Sequence, residues 1–78
     1  MMMLMCCEAV IENEIKQGLR QKDVAMTYAM AMHSEAHGRE TDWKRINGAI
    51  MDKWGRRGLD RVKKQAHCLY ESRGQTVN

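Results

Sequence analysis

The sequence predicts an all-α protein, a small three- to four-helix bundle with a helix-turn-helix-like pair at its C-terminal end. Two observations carry that expectation. Apolar residues recur with a period near 3.6 rather than 2, and no segment alternates as a strand would. Glycines 18, 38, 55 and 74 fall 20, 17 and 19 residues apart, each where such a pattern stops. Glycine enters the left-handed region without a Cβ clash, so it commonly stands just past a helix C-terminus.

The first helix is expected from about Met5 to Gln17, with Leu4, Cys7, Ile11 and Ile15 on one stripe and Leu19 just beyond. Glu8, Glu12 and Glu14 lie in its early turns, where the helix dipole favours anions. Asp23 reads as the N-cap of a second helix, Val24 to His37. Its Val24, Ala25, Tyr28, Ala29 and Met32 form one face, which Met26, Met30, His33 and His37 widen, so that either burial on two sides or an exposed Met-rich groove is expected. Thr41 and Asp42 start a third helix that reaches Trp54, with Trp43, Ile46, Asn47, Ile50 and Trp54 on a single stripe. A fourth helix, from Gly58 or Leu59 to Ser72, carries Leu59, Val62, Ala66, Leu69 and Tyr70 on an arc of about 100°. The chain thus divides into an N-terminal helical segment (1–22), peripheral or mobile, a helical core (23–73) and a frayed tail (74–78).

Size and composition exclude much. With 78 residues, no Pro and no Phe, the chain is one small domain. Of its apolar residues 7 are Ala and 8 are Met, and only 16 are Val, Ile, Leu, Trp or Tyr. So thin a core leaves stability marginal, and association with a second copy or a protein partner is expected to help. Three cysteines, with Cys6 and Cys7 adjacent and Cys68 alone, make no disulfide framework and fit a reducing cytoplasm. The run from Met1 to Cys7 is too short for a membrane span or a signal peptide, and no membrane role is expected.

Charge is unevenly placed. Residues 1–40 hold four basic and six acidic side chains, a net of −2; residues 41–78 hold nine and four, a net of +5. Gly55, Arg56 and Arg57 form a connection of helix-turn-helix length between the last two helices. Beyond it Arg57, Arg61 and Lys64 share an arc with Cys68, opposite the Leu59/Val62 stripe. A helix of this kind packs through one face and presents cations for phosphate on the other. Arg56, Arg57, Arg61 and Lys64 are therefore the candidate nucleic-acid contacts, with DNA the favoured partner and RNA the alternative, although Asp60 beside them opposes phosphate. The competing expectation is a protein-interaction or self-associating module that uses the Met-rich second helix.

The remaining constellations are weaker. His33 and His37 stand one turn apart in H-x-E-x-H, not H-E-x-x-H, so Glu35 points away from both. A third metal ligand has only His67 or Cys68 as candidates, and partly buried, hydrogen-bonded imidazoles are expected instead. No metal, no cofactor and no catalytic residue is assigned. His67 and Cys68 are sequence neighbours that point about 100° apart on a helix, which makes no catalytic pair. With no phosphate loop, nucleophile elbow or paired-carboxylate cleft visible, an enzyme is not expected. Trp43 and Trp54 share the Ile46/Ile50 face and read as core, not as a stacking platform. Asn47 among them is expected either to hold register through a buried hydrogen bond or to lie at the rim, and Gly48 suggests a close backbone approach.

The run Thr41-Asp42-Trp43-x-x-Ile46-Asn47-x-Ala49-Ile50-x-x-x-Trp54-x-x-x-Gly58-Leu59-x-x-Val62-Lys63-x-x-Ala66, preceded by Asp23-Val24-Ala25-x-x-Tyr28-Ala29, resembles short uncharacterised helical proteins of phage and mobile-element neighbourhoods. The resemblance covers about 45 residues, from the second helix onward. It implies a small intracellular helical protein and assigns no activity or site residue.

Overall fold

The computed structural model describes the backbone of residues 6–76 and the side chains of residues 6–72. Leu4 and Met5, expected in the first helix, lie outside the described residues. The chain forms α1 (Cys7–Lys16), α2 (Gln21–Ala36) and α3 (Trp43–Thr76), with no strand among the described residues. α1 and α2 end as their glycines dictate. Gly18 N–H donates to the Ile15 carbonyl at 3.1 Å and Leu19 N–H to Glu14 at 3.0 Å. Gly38 and Arg39 repeat the pattern onto Glu35 and Ser34 at 3.0 and 3.1 Å, so both termini are Schellman closures.

The helix starts match expectation less evenly. Asp42 caps α3, its Oδ1 accepting the Arg45 N–H at 3.1 Å. Asp23 does not cap α2, which begins two residues earlier at Gln21 with Arg20 in the cap position and no side-chain bond there. The closure at Gly18 and Leu19 leaves so short a connection that the Arg20 carbonyl already accepts from Asp23 and Val24, both at 3.1 Å. Asp23 instead sits in the first turn, where its charge still suits the dipole.

α3 is interrupted at one residue. Gly55 has φ 74° and ψ −177°, a conformation essentially confined to glycine. It separates a first arm (43–54) from a second arm (56–76). The expected break is present, but it is a corner of one residue, so Arg56 and Arg57 are already helical. Gly58 permits the corner to close. It is buried, and a Cβ there would collide with Cβ of Trp54, lie 3.2 Å from Trp54 Cγ and lie 3.4 Å from Gln21 Nε2. A further stop expected at Gly74 is absent, since α3 continues to Thr76.

All three helices meet in one cluster: Ile11 from α1, Val24, Ala25, Tyr28, Ala29 and Ala31 from α2, and Ile46, Ile50, Leu59, Val62 and Ala66 from α3. Trp43 and Trp54 pack against it half-buried, as their stripe implies. α2 buries its expected face and, of the two expectations for its methionine side, shows the exposed one. Met26 and Met30 are 48% and 52% exposed, His33 and His37 are exposed, and Thr27 and Ala31 are buried in their place. α2 lies against both neighbours, and its small side chains let their axes approach more closely than methionine would. The body measures 37 × 34 × 20 Å. No helix among the described residues is long and apolar enough to cross a membrane.

Three glycines of α3 should respond differently to alanine. No atom lies within 4 Å of a Cβ built on Gly48, so the expected close approach is not made there. Gly48→Ala should therefore raise stability by about 0.5–1 kcal/mol. Gly55→Ala should lower it by about 1–3 kcal/mol through backbone strain, and Gly58→Ala by about 1–3 kcal/mol through overpacking against Trp54. Urea unfolding of the three variants checks the order, and a stabilised Gly58→Ala would refute this account of the corner.

Candidate nucleic-acid interface

The second arm of α3 has two faces. Leu59, Val62 and Ala66 point into the core. At 100° per residue, Arg57, Arg61 and Lys64 occupy an arc of about 60° on the opposite side, spread over roughly 10 Å of helix axis. Arg56 stands about 80° outside that arc, on the far side of Asp60. All four cations are exposed, and none forms an ion pair among the described residues. Exposed Asp60 lies beside them without engaging any. Cys68, also exposed and free, continues the arc.

Arg45 does not join this surface, although it belongs to the same cationic half. Its Nε and Nη2 donate to Glu12 Oε2 and Oε1 at 2.7 and 2.6 Å, a two-pronged pair between α3 and α1. The hydrogen bonds from Arg45 hold the Glu12 carboxyl below the usual carboxylate range and raise the guanidinium's own affinity for its proton. Glu8 adds a second tie, its Oε2 accepting the Asp42 N–H at 3.0 Å. Two acids of α1 thus seat the start of α3.

The first arm carries the polar part of the core. Tyr28 and Trp43 have ring centroids 4.9 Å apart, tilted by 44°. Tyr28 donates through its hydroxyl to Asn47 Oδ1 at 3.0 Å, and the Trp43 indole N–H donates to Glu35 Oε2 at 2.7 Å. Of the two expectations for Asn47, the hydrogen bond is the one found, and it ties the first arm to α2. Tyr28, Met32, Glu35, Trp43 and His67 line an open depression of about 230 Å³. His67 borders it while Cys68 is exposed on the cationic arc, so the two are not brought together.

His33 and His37 are exposed, with ring centroids 4.4 Å apart in an edge-to-face contact. The buried, hydrogen-bonded imidazoles expected here are not found. No group of three or more His, Cys, Asp or Glu among the described residues is placed to hold a metal. Burial and the neighbouring Glu8 push the Cys7 thiol pKa up, Arg39 and Ser34 only partly opposing, so Cys7 is not an activated thiolate.

One polar pair has no sequence signal beyond an isolated threonine on an alanine-rich face. Thr27, buried on α2, donates to Glu14 Oε2 at 2.9 Å, while Glu14 Oε1 is buried without a partner. Desolvation raises the Glu14 pKa; the Thr27 hydrogen bond lowers it and the Asp23 charge raises it further. Comparison with protein-family models, curated proteins and solved structures finds no match to this chain.

Glu14 and Glu12, both on α1, have opposite pH signatures. Glu14, with its raised pKa, binds a proton more tightly in the folded chain, so its penalty is present at neutral pH and fades as pH falls towards the ordinary carboxylate value. Glu12, with its lowered pKa, contributes stability above that value and loses it as pH falls through its own folded pKa. Glu14→Gln should therefore stabilise the protein at pH 7 by on the order of 1 kcal/mol, with the gain shrinking towards pH 4. Urea midpoints of both chains across that range test it, and a pH-independent difference would contradict the assignment.

Proposed function

We propose that this chain is a non-enzymatic binding protein that engages nucleic acid, DNA foremost, through Arg56, Arg57, Arg61 and Lys64. The carrying observation is that these four cations are exposed and outside any ion pair among the described residues, and that Arg57, Arg61 and Lys64 share the face of the second arm turned away from the core. The one-residue corner at Gly55 supports a helix-turn-helix-like use of the two arms, with Arg56 and Arg57 in the first turn of the presented helix. The turn is shorter than the usual three to four residues. Phosphate contact therefore dominates the proposal, and Arg56 and Arg57 are the donors in that turn for any base contact. An odd number of cysteines, none of them bonded among the described residues, supports a cytoplasmic setting.

A second reading, a protein partner or a second copy docked on α2, is favoured by one observation, the exposure of Met26 and Met30.

Fluorescence anisotropy on a short labelled duplex separates the two. Four phosphate contacts should give a log–log salt slope of roughly −3 to −4, and each Ala substitution among the four should reduce it by about 1. Arg57→Glu combined with Arg61→Glu should abolish binding while leaving the circular dichroism unchanged. Salt-independent binding, or full affinity in the double variant, would defeat the nucleic-acid proposal. A chain that ignores DNA and RNA but is dimeric by light scattering would support the second reading.

A further inference from the structure

We propose that the outer face of α2 is a binding site for cuprous copper, held by the imidazoles of His33 and His37 and the thioether of Met30. Met26, Met30, His33 and His37 follow one another at intervals of four, three and four residues. That spacing keeps them within an arc of about 60° along roughly 16 Å of helix. The stripe belongs to solvent: both histidines are exposed, Met26 is 48% exposed and Met30 52%. Neither imidazole takes part in a side-chain hydrogen bond among the described residues, so its nitrogens are not otherwise engaged.

The pair stands one helical turn apart, the spacing at which two imidazoles of one helix can reach a single ion. The rings lie 4.4 Å apart at 64°. Trigonal Cu(I) with nitrogens about 2.0 Å away would set the centroids roughly 5.5 Å apart, so these exposed rings must open by about 1 Å to take the ion. The missing third ligand decides the metal. No cluster of three His, Cys, Asp or Glu is available among the described residues, so the donor set that zinc prefers is incomplete. Met30 supplies a thioether on the same stripe, and helical side chains lean towards the N-terminus, which carries the His33 ring over Met30. Soft sulfur with imidazole nitrogen selects Cu(I) over harder divalent ions. The pair also occupies the C-terminal end of α2, where the helix dipole favours a cation. This surface is on a different helix from the Arg57/Arg61/Lys64 face, and the two proposals stand or fall separately.

The test is an anaerobic Cu(I) titration against a chromophoric Cu(I) chelator. It uses the full-length chain with Cys6→Ser, Cys7→Ala and Cys68→Ser, because thiolates would otherwise compete. One equivalent should bind. Met30→Leu and His33→Gln should each weaken binding by about tenfold or more, Met26→Leu should leave it unchanged, and Zn(II) should bind far more weakly. X-ray absorption should show a sulfur neighbour that Met30→Leu removes. No Cu(I) uptake, full affinity in Met30→Leu, or equal affinity for Zn(II) would overturn the proposal. If circular dichroism shows that the thiol-free chain does not fold, the native chain with its thiols alkylated and its methionine methyls ¹³C-labelled is titrated instead. The Met30 methyl and the His33 and His37 imidazoles must then shift together, and shifts confined to other residues would overturn the site.

Discussion

The turn at Gly55 is the constraint on which the rest of the molecule depends. A single residue in a conformation closed to side-chain-bearing residues redirects α3, and the redirection closes only because Gly58 offers no Cβ to the Trp54 side chain. With that contact made, Ile46 and Ile50 of one arm and Leu59, Val62 and Ala66 of the other address the same cluster on α2. An unbroken helix of this length would carry the later stripe away from α2, leaving Tyr28 and Val24 without part of their cover. The corner also decides which way Arg57, Arg61 and Lys64 face, since they stand opposite the stripe that it turns inward.

Around this corner the polar interactions act mainly as registers. Tyr28 to Asn47 and Trp43 to Glu35 connect α2 to the first arm at two points, one near the core and one at the surface. Glu8 and Glu12 bind the beginning of α3 from the other side. The Glu12–Arg45 pair is solvent-exposed, and exposed pairs are worth little individually. Its role is to fix the position of α1, which enters the core through the single fully buried side chain of Ile11.

Much of this arrangement is legible in the one-dimensional pattern, for reasons that are local. The stops at Gly18, Gly38 and Gly55 are visible because a positive φ leaves a residue-type signature. The stripes through Ile46 and Leu59 are visible because bulky apolar residues at helical spacing have few alternatives to burial. The methionine side of α2 is legible only as two alternatives, because methionine counts as apolar without being obliged to hide, whereas Thr27 and Ala31 are buried by the closeness of neighbouring helices. The start of α2 was misplaced because Asp23 is a good cap that the short Gly18 connection does not use. For the candidate interface, the exposure of Arg57, Arg61 and Lys64 follows from the arc alone. The diversion of Arg45 does not, since its partner Glu12 lies 33 residues away. The contact that makes Gly58 necessary is likewise tertiary, and Gly48, which looks equivalent in the string of letters, has open space beside it.

A thickness of 20 Å is about two helix diameters. Each helix therefore has one side on the shared cluster and the other in water, with no intermediate layer of side chains between. Nothing in such a slab can loosen privately: lifting any helix bares the same few isoleucines and valines to solvent. The protein is in this sense a single cooperative foldon. The outward sides, by contrast, can change their chemistry without disturbing that shared cluster.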